Sequence, residues 1–178
     1  MIRHVFFLRH FQTENNLHNR LNGRSLSIPI SKGKPLNCST PIDAILCSSA
    51  LRCRQTIDYF LPQNNTAQVI YTEELLERNL GLMEGQPRDK MIRQYPNLFK
   101  NAKFVLYSTP PDGETYDEFQ HRALEFWQKC NLTFDGNILV CSHNQMLKML
   151  YFIIKAEAIN ADSWEKKSFP YGKIVKIK

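Results

Sequence analysis

Residues 5–10 are Val-Phe-Phe-Leu-Arg-His, four consecutive apolar residues followed directly by an arginine and a histidine. A short uninterrupted apolar run is typical of a strand that is buried on both faces. The runs Ile42–Cys47 and Ile138–Cys141 have the same character, and Val69–Tyr71 is a shorter candidate. The sequence therefore predicts several buried strands, and the first of them ends on two side chains that can do chemistry.

Helical patterns lie between these strands and after them. Lys173–Lys178 alternates lysine with Ile or Val, which is typical of a half-exposed edge strand guarded by lysines. Strands that alternate with helices predict an α/β domain with a mostly parallel sheet. The segments that we predict as helices are Leu51–Phe60, Gln86–Tyr95, Thr115–Lys129 and His143–Lys155.

Four polar segments are expected to meet at one edge of this sheet, because ligands of parallel sheets bind beyond the carboxyl ends of the strands. The segments are Arg9-His10, Ser48–Arg52, Leu76-Glu77 and Ser142-His143. The sequence therefore predicts a polar site at that edge.

The composition is that of an ordinary globular protein, which excludes disorder: 43% of the 178 residues are hydrophobic and 22% are charged. The length predicts a single domain over residues 1–178. The 23 lysines and arginines outnumber the 17 acidic residues, which gives a net charge of +6. Such a surface favours anionic ligands, meaning phosphate esters, nucleic acid or acidic lipids, and charge alone does not choose among them.

The longest apolar run, Met149–Ile154, is far too short to cross a bilayer. The first residues do not resemble a signal peptide, because the apolar stretch is only Val5–Leu8 and no small-residue cleavage site follows it. The five cysteines form an odd set without a Cys-x-x-Cys pair, so neither a disulfide framework nor a zinc site is indicated. We therefore expect a cytoplasmic protein with reduced thiols and no membrane partner.

Arg9 and His10 together suit phosphate chemistry. A guanidinium offers a fixed fork for phosphate oxygens, and a neutral imidazole is a competent nucleophile. The competing interpretation is that a strand simply reaches water at these two residues.

The segment from Ser48 to Thr56 lies where a strand gives way to a helix, so free amide donors and the cations Arg52 and Arg54 can face an anion. Cys47 suggests a different enzyme class, the cysteine phosphatases, whose loop has five residues between cysteine and arginine. Here four residues separate Cys47 from Arg52 and six separate it from Arg54, and the loop has no glycines. We therefore do not expect a thiol mechanism.

Glu77 and His143 complete the candidates. Glu77 is placed to act as a general acid for a leaving alkoxide, although most glutamates in such a run are exposed. His143 follows a buried strand, as His10 does, and a lone histidine there is more often a structural hydrogen-bonding group.

In this order, the segments resemble the motifs of the histidine phosphatase superfamily, the phosphoglycerate mutase-like enzymes. Arg9-His10 with Thr13 and Asn16 looks like the family's opening Arg-His-Gly-x-Ser/Thr-x-x-Asn motif. The resemblance covers nearly the whole chain, and the ordered co-occurrence of the motifs carries it. The other matching segments are Ser48-x-x-x-Arg52-x-x-Gln55-Thr56, Leu75–Arg78 with Gly81, Pro111–Thr115 with Arg122, and Ser142-His143; Gly23-Arg24, Pro29 and Gly33 fit the loop after the first motif.

This resemblance implies a three-layer α/β/α fold with a mostly parallel central sheet. It also implies a phosphomonoester phosphatase that forms a phosphohistidine on His10, uses Glu77 as general acid and base, and needs no metal or other cofactor. The implied catalytic residues are His10, Glu77, His143, Arg9 and Arg52; the implied phosphate- or substrate-binding residues are Arg9, Asn16, Arg52, His143, Thr13 and Asn144.

Three departures from the family pattern stand out. Phe11 replaces the glycine that usually follows the nucleophile, and we expect its ring to narrow the pocket. Asn144-Gln145 replaces the usual Gly-Gly after the second histidine. Between Gly33 and Ser48 there is room for little of the family's usual helix, so the chain is interpreted as a compact, divergent member.

Two other functions remain open at this point. A phosphoglycerate mutase-type phosphotransferase uses the same residues, but this short chain has little spare length for a lid over the site. A non-catalytic phospholigand-binding module would not need both His10 and Glu77. A small-molecule phosphate ester is the expected partner, and nucleic acid is not expected, because the basic residues are scattered and the aromatic residues follow core patterns.

Overall fold

A five-stranded sheet forms the centre of the computed structural model, which describes residues 1–61 and 66–178. The strand bounds are β1 (Ile2–Arg9), β2 (Ala44–Ser48), β3 (Gln68–Thr72), β4 (Phe99–Lys100), β5 (Lys103–Phe104), β6 (Gly136–Ser142) and β7 (Ile174–Lys176). The order in the sheet is β3-β2-β6-β1-β7; β7 is antiparallel to β1, and the other neighbours are parallel. The strands β4 and β5 form a separate short hairpin.

Helices follow most of the strands, as predicted. The helix bounds are α1 (Glu14–Leu17), α2 (Leu51–Asp58), α3 (Arg88–Gln94), α4 (Tyr116–Thr133), α5 (Asn144–Lys155) and α6 (Ala161–Lys166). All four predicted helices form, as α2, α3, α4 and α5, with ends that differ by a few residues. The sequence reasoning missed α1, α6 and the β4–β5 hairpin, which are all too short to show a pattern.

The sheet is covered on both faces, which explains why its strands are continuously apolar. Successive side chains of a strand point to opposite faces. Phe7 packs with residues of α4 and α5 in one buried cluster, while Phe6 and Leu8 pack with residues of α2 in the other. The predicted three-layer α/β/α fold with a mostly parallel sheet is therefore confirmed.

The strand register brings the carboxyl ends of β1, β6 and β2 to the same level. Arg9 lies beside Ser142, Cys47 lies beside Cys141, and the His10 amide donates to the Ser142 carbonyl at 3.1 Å. The two predicted histidines, each the first residue after its strand, are therefore neighbours at one edge of the sheet.

Residues 33–43 contain no helix, in line with the short connection predicted there. Among the residues that the structure describes, no helix is long and apolar enough to span a bilayer.

Candidate active site

A cavity of about 140 Å³ opens at the carboxyl ends of β1, β2 and β6. It contains all the predicted site residues except Thr13. Those that line it are Arg9, His10, Asn16, Arg52, Glu77, His143 and Asn144. The sheet topology therefore assembles side chains that are up to 135 residues apart in the sequence.

His10 is buried, and its ring is fixed by its own backbone. Its Nδ1 lies 2.5 Å from the Phe11 carbonyl oxygen, which can only accept a hydrogen bond, so Nδ1 carries the proton. Burial, together with the nearby Arg52 and Arg9, moves the pKa of His10 well below its usual value. The imidazole is therefore neutral at pH 7, and its lone pair lies on Nε2.

Arg9 is held by the segment that leads into β7. Its Nη1 donates to the Phe169 carbonyl at 3.0 Å, and its guanidinium stacks on the Tyr171 ring, 3.6 Å from the ring centroid. Burial lowers the pKa of Arg9, but a guanidinium stays charged at any working pH. Its buried Nε has no hydrogen-bond partner among the described residues, so this donor is unsatisfied within the described protein.

Arg52 and His143 form one hydrogen-bonded unit. Arg52 Nε donates to His143 Nδ1 at 3.2 Å, and its terminal nitrogens donate to the carbonyls of Ser25 and Gly23. His143 Nδ1 is therefore the acceptor, which leaves the proton on Nε2, where it is donated to Ser48 Oγ at 2.9 Å. Burial first, and then the positive charge of Arg52, moves the pKa of His143 well below its usual value.

The side-chain carboxylate of Glu77 lies against the N-terminus of α5. Its Oε1 accepts the backbone N–H groups of Arg78 and Met146, at 3.0 and 3.1 Å, and its Oε2 accepts that of Gln145 at 3.1 Å. The free amides and positive dipole end of a helix start hold the carboxylate at the rim of the cavity.

Glu74 and Glu84 lie on either side of Glu77 in the sequence, but they make other contacts. Glu84 accepts the N–H groups of Arg24 and Leu80, which holds the loop after α1 in place, and Glu74 pairs with Lys129. Neither of them lines the cavity. Of these three glutamates, only Glu77 lies where it can reach a substrate in the cavity.

A buried ion pair holds the segment that carries Glu77. The guanidinium of Arg122 forms a bidentate pair with Glu114, both bonds at 2.8 Å, and donates to the carbonyls of Glu74, Leu76 and Glu77. The resemblance pointed to Glu114 and Arg122 but gave them no role. In the structure they hold the segment that carries Glu77.

Asn16 and Thr13 form a capping box at α1. The Asn16 amide oxygen accepts from the Thr13 amide and hydroxyl, so the Asn16 amide nitrogen is the group left for a ligand. The Thr13 side chain is fully buried and lies outside the cavity lining. Thr13, predicted to bind phosphate, thus supports Asn16 in this structure.

Asn144 lines the cavity but uses its side-chain oxygen to accept the Phe169 amide at 3.1 Å. It thereby anchors the same segment that holds Arg9 through the Phe169 carbonyl. Asn144, which replaces a family glycine, therefore connects α5 to the segment before β7 by a hydrogen bond.

The expectation that Phe11 narrows the pocket is wrong for this structure. Its ring is buried in the cluster on the α2 face, edge-on to Tyr59, and does not line the cavity. The ring lies against Gly172, where an added Cβ would collide with it. The absence of a side chain at Gly172 therefore leaves room for the Phe11 ring.

The residues of the cavity wall that the sequence reasoning missed include Tyr171, Arg20 and Arg88. Tyr171 belongs to no motif. The antiparallel pairing of β7 with β1 places the residues before β7 beside Arg9. The predicted edge strand was therefore the feature of the sequence that could have pointed to Tyr171. Arg20 and Arg88 lie in a loop and at the start of α3, where a single sequence gives no reason to prefer them over other cations.

Among the described residues, the structure does not place a cysteine for the thiol chemistry considered from the sequence. Cys47 does not line the cavity, and burial raises the pKa of its thiol. Within the described parts of the chain, no group of three or more His, Cys, Asp and Glu side chains is arranged to hold a metal ion.

The fold and the cavity define an α/β protein with four arginines and two histidines around a cavity at the carboxyl edge of its sheet. The family model of the histidine phosphatase superfamily (branch 1) matches residues 35–178, so the chain belongs to this family. The match contains Arg52, Glu77 and His143, whereas Arg9 and His10 precede it. The predicted family and enzyme class, a hydrolase of the histidine phosphatase type, are confirmed.

Individual relatives agree with this assignment. A protein of Schizosaccharomyces pombe named as a probable phosphatase is 29% identical over 159 residues, which are 82% of this chain and 70% of that protein. The 6-phosphofructo-2-kinase/fructose-2,6-bisphosphatase of Caenorhabditis elegans is 26% identical over 84% of this chain, which spans only 34% of that protein. The structure of a mycobacterial glucosyl-3-phosphoglycerate phosphatase superposes with a TM-score of 0.76 at 16% identity, over 98% of this chain and 89% of that one, and shows the shared fold.

Proposed function

We propose that the protein is a phosphomonoester phosphatase that acts through a phosphohistidine on His10. One observation carries the proposal: His10 is neutral, has its Nδ1 proton committed to the Phe11 carbonyl, and shares a small cavity with Arg9, Arg52 and Glu77. A buried neutral imidazole with a free Nε2 is a competent nucleophile, and two fixed guanidinium groups offset the charge of a phosphoryl group.

In the first step, His10 Nε2 attacks phosphorus in line with the ester oxygen, and the bond from phosphorus to that oxygen breaks. The free Nε of Arg9 and the remaining hydrogens on the terminal nitrogens of Arg52 hold the phosphoryl oxygens. The Asn16 amide adds a neutral donor. His143 accepts a hydrogen bond from Arg52 at Nδ1. It can donate to phosphate only if its Nε2 proton, which it now donates to Ser48 Oγ, turns to the phosphate instead.

Glu77 supplies the proton that the leaving alkoxide needs. Because Oε2 accepts only the Gln145 amide, it keeps a lone pair that can carry this proton. In the second step the same carboxylate takes a proton from the water molecule that attacks phosphorus, and the bond from phosphorus to His10 Nε2 breaks. The products are an alcohol and inorganic phosphate, and the enzyme returns to its starting state.

The relatives' names support a small phosphate ester as substrate, since one is a probable phosphatase and another acts as a fructose-2,6-bisphosphatase. We further propose that the reaction needs no metal ion, because Arg9 and Arg52 provide the positive charge, and that the protein acts in the cytoplasm.

The test has two parts. A panel of phosphorylated sugars, nucleotides, other metabolites and phosphopeptides, assayed with and without EDTA, should yield at least one ester that is hydrolysed in both conditions. Rapid quench with the labelled ester should then trap an acid-labile, alkali-stable phosphoenzyme in the wild type and in the exposed control His121→Ala, but not in His10→Ala.

Label on serine or cysteine would contradict the proposal. So would activity that disappears in EDTA and returns with one divalent metal. Transfer of the label to an added alcohol acceptor instead of water would favour the mutase-type alternative.

A further inference from the structure

The side chain of Tyr171 lies against two residues of the proposed mechanism, Arg9 and His10. The guanidinium carbon of Arg9 lies over the Tyr171 ring, 3.6 Å from the ring centroid, and the centroids of the Tyr171 and His10 rings are 5.7 Å apart. Tyr171 also lines the catalytic cavity. It belongs to none of the sequence motifs, so the role of these contacts has to be derived from the structure.

The backbone around Tyr171 is tied to Arg9 by further hydrogen bonds. The Arg9 Nη1 donates to the Phe169 carbonyl at 3.0 Å, and the Gly172 amide donates to the Arg9 carbonyl at 2.9 Å. The Phe169 amide in turn donates to the Asn144 side-chain oxygen at 3.1 Å. The Tyr171 ring is therefore held in a fixed place relative to the Arg9 side chain.

Arg9 is held in this way by groups that carry no net charge. Among the described residues, no carboxylate oxygen lies within 4 Å of the Arg9 guanidinium. A carboxylate at this place would neutralise the charge that attracts a phosphoryl group, whereas an aromatic ring attracts a cation through its quadrupole alone. The Tyr171 ring therefore stabilises Arg9 and leaves its positive charge available to an anion.

The contact also fixes the plane of the guanidinium. All five N–H donors of an arginine lie in that plane, and arginine stacks on aromatic faces. The Tyr171 ring covers one face of the Arg9 group, and the Phe169 carbonyl takes one of its donors. The remaining donors, which include the buried Nε without a hydrogen-bond partner among the described residues, are thus kept in one orientation.

The hydroxyl of Tyr171 lies farther into the site than its ring contact suggests. Burial lowers the pKa of Arg9, Arg52 and Arg88, and Tyr171 is among the groups that partly offset this effect on each pKa. The hydroxyl is therefore within electrostatic reach of three arginines that line the cavity. Ring and hydroxyl can act separately, and an experiment has to distinguish them.

We propose that Tyr171 is a positioning residue, whose ring orients the Arg9 guanidinium for the phosphoryl group without neutralising its charge. The inference rests on the proposed function, since it takes Arg9 as a ligand of the phosphoryl group. It goes beyond that function because it assigns a role to a side chain outside the family motifs.

Two variants separate the ring from the hydroxyl. Tyr171→Leu removes the aromatic face and should slow phosphoenzyme formation, measured by rapid quench, by about 10-fold, within the range for a cation–π contact away from water. It should weaken the binding of inorganic phosphate, measured by calorimetry, by a similar factor. Tyr171→Phe keeps the face and should restore most of both losses.

The matched control is Tyr71→Leu, which removes a second arginine–tyrosine contact. The Arg54 guanidinium carbon lies 4.9 Å from the centroid of the Tyr71 ring, and neither residue lines the catalytic cavity. Tyr71→Leu should therefore leave the rate of phosphoenzyme formation and the phosphate affinity within about two-fold of the wild type.

A double-mutant cycle tests whether the ring acts through Arg9. Arg9→Met removes the guanidinium, so adding Tyr171→Leu to this variant should change the rate of phosphoenzyme formation by less than about two-fold. Losses that multiply in the double variant would show that the ring acts independently of Arg9 and would overturn the proposal.

Two other results would overturn it as well: a Tyr171→Leu variant with the wild-type rate and phosphate affinity, or equal losses in Tyr171→Leu and Tyr171→Phe, which would assign the effect to the hydroxyl. If Tyr171→Leu does not fold, Tyr171→Met, which also lacks an aromatic face, is measured against the same criteria. A failure of the proposed function is recognised separately, because His10→Ala would then still form a phosphoenzyme, whereas phosphate affinity does not depend on which residue is phosphorylated.

Discussion

The two histidines of the site occupy nearly equivalent positions but are bonded differently. Each follows a buried parallel strand directly, β1 for His10 and β6 for His143, and the ring centroids are 5.1 Å apart. Burial and the same two arginines lower the pKa of both. Strand position and charge environment therefore do not distinguish a nucleophile from a supporting residue.

The ring nitrogens do distinguish them. His10 bonds to its neighbour's carbonyl through Nδ1, which leaves Nε2 free for the cavity. His143 is bonded at both nitrogens, to Arg52 and to Ser48. We infer that His10 reacts and that His143 holds Arg52 in place, and the following predictions test this difference.

The largest effect is expected when the two histidines are replaced separately. His10→Gln should lower single-turnover formation of the phosphoenzyme by about 10⁴-fold or more, because it removes the nucleophile itself. His143→Gln should slow that step by about 10²–10³-fold, the range for losing one group that stabilises the transition state, but the phosphoenzyme should still form. Rapid quench of both variants measures the difference. Equal losses, or a phosphoenzyme in His10→Gln only, would contradict the division of roles.

Replacing Arg52 should lower activity nearly as much as replacing His143, because the two side chains are hydrogen-bonded to each other. Arg52→Ala should lower kcat/KM by about 10²–10³-fold. The matched control is Arg54→Ala on the same helix, whose exposed guanidinium stacks on Tyr71 outside the cavity, and it should keep activity within about two-fold. The two variants are compared by steady-state kinetics after thermal unfolding has shown that both are folded. A similar loss in Arg54→Ala would mean that the phosphate contacts have been assigned to the wrong arginine.

Glu77 is held by the first backbone N–H groups of α5, the helix that directly follows His143. Glu77→Gln should lower the rate of phosphoenzyme formation by about 100-fold for an alkyl phosphate, whose alkoxide needs a proton. The loss should be much smaller for nitrophenyl phosphate, whose phenolate leaves without one. Rapid quench with both substrates isolates this step from the later hydrolysis.

Glu84→Gln is the control for the acid, because Glu84 bonds to the loop after α1 and does not line the cavity. It should show no dependence on the leaving group. A leaving-group effect in Glu84→Gln, or equal losses for both substrates in Glu77→Gln, would exclude Glu77 as the acid.

The sequence was sufficient to predict the residues at the strand ends. Apolar runs identify buried strands, and parallel strands bring their carboxyl ends together, so the sequence alone groups Arg9-His10, Ser48–Arg52 and Ser142-His143. The hydrogen bonds of the two rings could not be predicted. They depend on partners such as Ser48 and Arg52, whose side-chain directions follow from the packing around them.

The positions of side chains outside the strand ends were harder to predict from the sequence. Phe11 follows the nucleophile, which suggests a place in the pocket, but its ring fills the space that Gly172 leaves on the α2 face. Lys148 lies within the predicted helix His143–Lys155 and resembles any other helix lysine. Its burial depends on Trp164 of α6, an element that the sequence pattern did not reveal.

The smallest effect concerns stability and applies to both histidines alike. Since the folded-state pKa of each is well below the unfolded value near 6.5, the unfolded chain binds more protons below that pH, and stability falls as the pH decreases. Each histidine should therefore lower the free energy of unfolding when the pH falls from 7.5 to 5.5. Urea unfolding at the two pH values should show a smaller decrease in His10→Gln and in His143→Gln than in the wild type. Comparing the decrease of each variant with that of the wild type cancels the contribution of the carboxylates, which is the same in all of them.

His121→Gln, which replaces an exposed histidine on α4, is the control and should keep the wild-type decrease in the free energy of unfolding. If His10→Gln also kept the full decrease, His10 would be protonated in the folded protein at pH 5.5, and the neutral nucleophile on which the site depends would be lost there.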